Sequence, residues 1–136
     1  MSFNNYVIIW ILFGLMTFLF LIISKVRAPY GRHSTKGWGL MISNSWGWFW
    51  MELPALLLVP LISFVGSNEM NSLSILLVSL WLIHYLNRVI IFPLRIKTKN
   101  KKMPISIAIS AFFFNCINGV INGIHIGYFL NSDLNF

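Results

Sequence analysis

The chain has 136 residues, of which 57% are hydrophobic and 10% charged. Soluble globular domains carry about 25% charged residues, so this composition excludes an ordinary soluble fold and points to a membrane protein. The net charge of +7 does not argue for nucleic acid, because every basic residue except Arg88 falls in a short gap between apolar runs, as in the cytoplasmic loops of membrane proteins.

Four apolar runs follow in chain order. The first, Tyr6 to Ile23, is preceded by MSFNN, which has no basic side chain, and no small-residue cleavage site follows it. It therefore reads as a span and not as a signal peptide. The others are Trp46 to Val65, Leu73 to Phe92 and Met103 to Leu130. Each reaches the ~18 residues that a helix needs to cross the hydrocarbon core. The fourth is longer than needed, so its ends should project or tilt. Residues 1–136 are thus expected to form a single all-α membrane domain, with spans of about 6–23, 46–65, 73–92 and 103–130.

The gaps set an orientation. Lys25 to Lys36 and Pro93 to Lys102 carry nine basic residues and no acid; the gap Gly66 to Asn71 carries only Glu69, and the tail only Asp133. The positive-inside rule places the two basic loops in the cytoplasm and both termini outside.

The chain has three acidic residues, and one of them, Glu52, lies inside the second run. An ionisable side chain in hydrocarbon costs about 2.5–3.5 kcal/mol on insertion scales, so it usually faces a bundle interior or a cavity. Glu52 should lie ~9 Å below the cytoplasmic end of its span, and Tyr85, on a span running the other way, ~10 Å below the same end. Arg88 and His84 can share a broad helix face with Tyr85. In the fourth run, Asn115, Asn118, Asn122 and His125 form a polar stripe. Gly119, Gly123 and Gly127 form a small-residue series that admits a close helix neighbour. A polar cavity opening to the cytoplasm would explain these surfaces together.

Each feature also has a plainer reading. Glu52 can simply pair with Arg88 and hold the bundle, the asparagines can be interhelical glue, and His84 can be a packing residue. Trp46, Trp48 and Trp50 form an interfacial aromatic belt, although Trp48 shares a face with Glu52 and could wall a pocket. Pro54 and Pro60 should kink the second span. Three scattered histidines and the lone Cys116 give no metal-ligand spacing. No Ser-His-Asp set, P-loop or GxGxxG is present.

Four stretches resemble the membrane steroid 5α-reductases: RAPYGRH at Arg27 to His33, WFWMELP at Trp48 to Pro54, HYLNRVIIFPLR at His84 to Arg95, and FNCINGVINGIHIG at Phe114 to Gly127. They occur in the family's order and cover nearly the whole chain. The family's W-G-P step is altered, since Trp38 and Gly39 are followed by Leu40. The resemblance implies the first four helices of a seven-helix reductase bundle, and hence an incomplete N-terminal part of a longer fold. It implies NADPH-dependent reduction of the C4–C5 double bond of a 3-oxo-Δ4 steroid or similar lipid enone. Glu52 and Tyr85 match the residues that bind the substrate carbonyl, with Tyr85 as the acid. Trp48, Asn115 and Asn118 would line the substrate site, and His84 and Arg88 would support it. Whether Arg88 pairs directly with Glu52 decides how freely that carboxyl can donate. The family's main NADPH contacts lie after the fourth helix, so this chain alone should be inactive and would need a missing C-terminal half. The alternatives are a non-catalytic membrane helical module and a related membrane methyltransferase or sterol reductase. The partners expected are the lipid bilayer and a lipid enone, with no nucleic acid.

Overall fold

The computed structural model describes residues 2–24, 39–66 and 70–130. The basic loop Lys25 to Lys36, the RAPYGRH motif, Glu69 and Asp133 lie outside the described residues.

Four helical stretches are long and apolar enough to cross a membrane. Helix α1 covers Phe3–Ser24 and α2 covers Asn44–Gly66. Helix α3 covers Ser72–Leu86, passes through a π-helical turn at Asn87–Ile91, and ends in the short α4, Phe92–Arg95. Helix α5 covers Ile105–Ile124 and continues into a second π-helical turn, His125–Phe129. In lipid the backbone must satisfy its own hydrogen bonds, which is why apolar runs of this length fold as helices. The chain is an integral membrane protein by these spans.

A small clasp lies where α2 and α5 begin. Strand β1, Met41–Ser43, pairs antiparallel with β2, Lys102–Pro104. The buried Asn44 extends the clasp: its amide donates to the Lys101 carbonyl, and its Nδ2 donates to Thr98 Oγ1 at 2.7 Å. Ser45 Oγ donates to the Pro93 carbonyl at 3.0 Å and joins α2 to α4. Neither strand is readable as an amphipathic period, because each is three residues long.

From the clasp α2 and α5 run side by side in the same direction. A methyl group added at Gly119 would come within 3.0 Å of Leu58 Cβ, and one at Gly123 within 2.8 Å of Ile62 Cβ. At Gly127 it would meet the Ser63 backbone at 2.9 Å. The glycine series is therefore the seat of α2, and close backbone approach supplies the packing that lipid cannot drive by hydrophobicity.

Helix α3 packs antiparallel to α2. Val59, Val78 and Ile126 form a core where α2, α3 and the end of α5 meet, with Met70, Trp81 and Leu82 around it. Helix α1 has no buried residue. It touches α5 through Trp10 on Phe114 and Phe3 on Phe129. Large apolar side chains cover the outer faces of all these helices, as a lipid-facing surface requires.

Helix α2 continues through Pro54 and Pro60. Pro54 has no amide to donate to the Trp50 carbonyl. The neighbouring carbonyl of Met51 accepts from Asn115 Nδ2 at 2.6 Å, and that of Ala55 accepts from Trp81 Nε1 at 2.8 Å. Side chains of adjacent helices thus support the backbone on both sides of the proline, a usual condition for proline within a span.

Candidate functional site

The second span brings Trp48 and Glu52 onto one face, one helical turn apart. Glu52 is buried, with 7% of its surface exposed. Arg88 reaches it from α3, and Nη2 donates to Glu52 Oε1 at 2.7 Å. The guanidinium lies 4.4 Å from the Trp48 ring centre and 5.0 Å from that of Phe92. These two rings meet edge to face at 4.9 Å. The cation is thus held by a carboxylate and two aromatic faces, each favourable to it.

Arg88 sits in the first π-helical turn, where the Phe92 amide bonds the Asn87 carbonyl five residues back. Pro93 follows at once. Its ring would crowd the Val89 carbonyl in a regular helix and cannot donate to it. The wider turn absorbs that defect, and single π turns of this kind gather at functional sites. The sequence contained the signal, a proline one turn past Val89, but it did not announce a π turn.

Tyr85 lies one turn before Arg88. Its ring stacks on Trp81 at 4.7 Å, and Trp81 is anchored by its bond to the Ala55 carbonyl. Tyr85 is half-buried and within electrostatic reach of both Glu52 and Arg88. His84 is exposed and meets Tyr85 edge to face at 5.0 Å. Glu52, Arg88, Tyr85 and Trp48 therefore form one cluster on the α2–α3 seam. Phe92 and Trp81 belong to it and were not singled out from the sequence. Their spacing of four from Arg88 and from Tyr85 was the available signal.

The fourth-span stripe divides its side chains among different partners. Asn115 is buried and gives its Nδ2 to the Met51 carbonyl. Asn118 is half-buried and accepts from Asn122 Nδ2, at 2.8 Å on its carbonyl and 3.2 Å on Oδ1. His125 is exposed and stacks near Phe3. Clefts of about 320–500 Å³ lie along the described residues, lined by residues other than Glu52, Tyr85, Arg88, Asn115, Asn118 and Asn122. Among the described residues, no three His, Cys, Asp or Glu side chains come together.

The fold and the cluster define a class: a membrane protein of apolar helices that keeps an ion-paired carboxylate beside a phenol inside its bundle. Sequence comparison narrows this. The chain is 37% identical over 131 residues to steroid 5-alpha-reductase DET2 of Solanum lycopersicum, covering 93% of this chain and 50% of the relative. It is 40% identical over 109 residues to the protein of the same name from Arabidopsis thaliana, covering 76% and 42%. It is 28% identical over 120 residues to 3-oxo-5-alpha-steroid 4-dehydrogenase 1 of Rattus norvegicus, covering 85% and 46%. No family model matches the chain. The chain belongs to the steroid 5α-reductase family, and it spans about half the length of the curated relatives it matches.

Proposed function

We propose that these spans supply the carbonyl-binding end of an oxidoreductase that reduces the C4–C5 double bond of a 3-oxo-Δ4 steroid or a similar lipid enone. The reading is carried by the buried Glu52–Arg88 pair, one helical turn from a Tyr85 held by Trp81, in a chain related to steroid 5α-reductases.

Reduction at the β-carbon of an enone moves negative charge onto the carbonyl oxygen. A donor already aimed at that oxygen stabilises the charge without reorganising. Tyr85 carries such a donor, and its ring is fixed by Trp81. Glu52 Oε1 accepts from Arg88, so the paired carboxylate does not donate to the carbonyl, and Oε2 is left as an acceptor for the Tyr85 hydroxyl. Trp48 would wall the site, and Arg88 would hold Glu52 in position. Asn118 would line the approach from α5. Asn115, already bonded to the α2 backbone, would shape that wall from behind.

NADPH would be the hydride source of the whole protein. Arg88 is engaged by Glu52, and the glycine series of α5, where a ligand could approach backbone closely, is filled by α2. On this reading the hydride end of the reaction would fall to the part of a family-length protein that this chain does not match. We place the loop Arg95 to Lys102 in the cytoplasm and both ends of the chain outside, because basic loops are retained on the cytoplasmic side.

The test is NADPH-dependent reduction of a 3-oxo-Δ4 steroid in membranes, with product analysis. In a family-length protein, Tyr85→Phe should lower turnover by about 10²-fold, the scale for losing a donor to a developing oxyanion, and Glu52→Gln should lower it too, by removing the carboxylate charge beside the reacting carbonyl. NADPH affinity should change much less. Glu52→Gln keeps an acceptor for Arg88 and a donor on the other side, so it separates chemistry from packing. The 136-residue chain alone should give no reduction. A second reading, that the cluster only holds the bundle, is favoured by the direct Arg88–Glu52 bond. Wild-type turnover in both folded variants would establish it.

A further inference from the structure

A cleft of about 500 Å³ lies at the end of the spans nearest the β1–β2 clasp, lined by Ser45, Trp46, Phe49, Val89, Ile90, Pro93, Leu94 and Lys99. None of the cluster residues Trp48, Glu52, Tyr85 or Arg88 contributes to it. On α2, Trp46 and Phe49 occupy a different face from Trp48 and Glu52. The lining is apolar apart from Ser45, whose hydroxyl donates to the Pro93 carbonyl, and Lys99. Lys99 lies between α4 and β2, in a stretch of eight residues that carries Arg95, Lys97, Lys99, Lys101 and Lys102 and no acid.

We propose that this cleft binds one anionic phospholipid, with an acyl chain along Phe49, Ile90 and Leu94 and the phosphate at Lys99. The charge match selects the occupant. An apolar slot in the spans that meets a cationic turn fits an amphiphile with an apolar tail and an anionic head. A neutral lipid would fill the slot but bring no charge to match that of Lys99. Trp46, half exposed at the same level, has the amphipathic ring that favours the headgroup region. Basic pockets between spans on the cytoplasmic side are established sites for anionic headgroups.

The experiment is native mass spectrometry of the chain released from detergent, titrated with phosphatidylglycerol, phosphatidylcholine or inorganic phosphate. One phosphatidylglycerol should be retained in preference to phosphatidylcholine. Lys99→Ala should weaken its retention about fivefold, the equivalent of ~1 kcal/mol for one basic residue near an anionic surface. Ile90→Trp, which fills the slot without changing charge, should weaken retention of both lipids. Circular dichroism of each variant separates loss of binding from loss of fold, and Leu94→Phe serves as the slot-filling variant if Ile90→Trp does not fold. Equal retention of the two lipids, or an unchanged affinity in folded Lys99→Ala, would overturn the proposal. So would displacement of phosphatidylglycerol by inorganic phosphate at equal concentration, which would make the site a headgroup contact without an acyl slot.

Discussion

Arg88 and Glu52 meet at 2.7 Å across the α2–α3 seam, with the carboxylate side chain 9% exposed and the guanidinium side chain 31%. The pair is 36 residues apart in sequence and links the second and third spans. Trp48 and Phe92 pack against its guanidinium, and Tyr85 lies one helical turn before Arg88. The contact that could hold the bundle is therefore the same one that would set the position of a catalytic carboxyl.

Removing one member of this pair should cost more than removing both. Arg88→Met leaves a buried carboxylate without its partner, and breaking such a pair costs about 3–5 kcal/mol. The partial exposure of Arg88 places the loss near the lower end. Glu52→Gln combined with Arg88→Met should recover a large part of it. Thermal unfolding in detergent of the two single variants and the double variant gives the coupling directly. Simple additivity would mean that the pair is not energetically joined.

Asn115 offers a sharper division between glue and ligand binding. Its Nδ2 is bonded to the Met51 carbonyl, so Asn115→Leu should destabilise the α2–α5 pair. The loss should be modest, about 0.6–2 kcal/mol, as for other polar side chains between membrane helices. In a family-length reductase the same variant should alter stability more than substrate KM. A large rise in KM with unchanged stability would give Asn115 a direct role at the substrate.

Gly123 tests the helix seat. A side chain there would run into Ile62, whose Cβ lies 2.8 Å from where the new carbon would stand. Gly123→Val should therefore lower stability by about 1–3 kcal/mol, the usual cost of overpacking. Gly14 on α1 has nothing within 4 Å of the same position, so Gly14→Ala should leave stability nearly unchanged. Parallel melting curves check both, and equal effects would contradict the packing described.

Orientation can be read with a single thiol. After Cys116→Ser, a cysteine placed at Lys99 should be labelled by a membrane-impermeant reagent only once the membrane is opened. The five basic residues from Arg95 to Lys102 motivate this expectation. Labelling of intact cells would reverse the assignment.

What the sequence determined by itself was the class of fold and the identity of the unusual residues. Apolar runs of span length must close their backbone bonds internally in lipid, so four helices were legible without knowledge of their neighbours. Glu52, Arg88 and Tyr85 stood out because ionisable and phenolic groups are rare in such runs, and the glycine series marked a close helix contact. The tertiary structure alone decided which partner each group took. Arg88 engages Glu52, Asn115 serves the α2 backbone, Asn122 turns back on its own helix, and Phe92 and Trp81 complete the cluster. The physical reason is that lipid-facing and helix-facing surfaces are both apolar here. Hydrophobic pattern therefore fixes that a segment spans, but not how far it is rotated about its axis. That rotation depends on where glycine permits contact, where Pro93 forces a wider turn, and where the clasp Met41–Ser43 with Lys102–Pro104 sets the starting heights of α2 and α5.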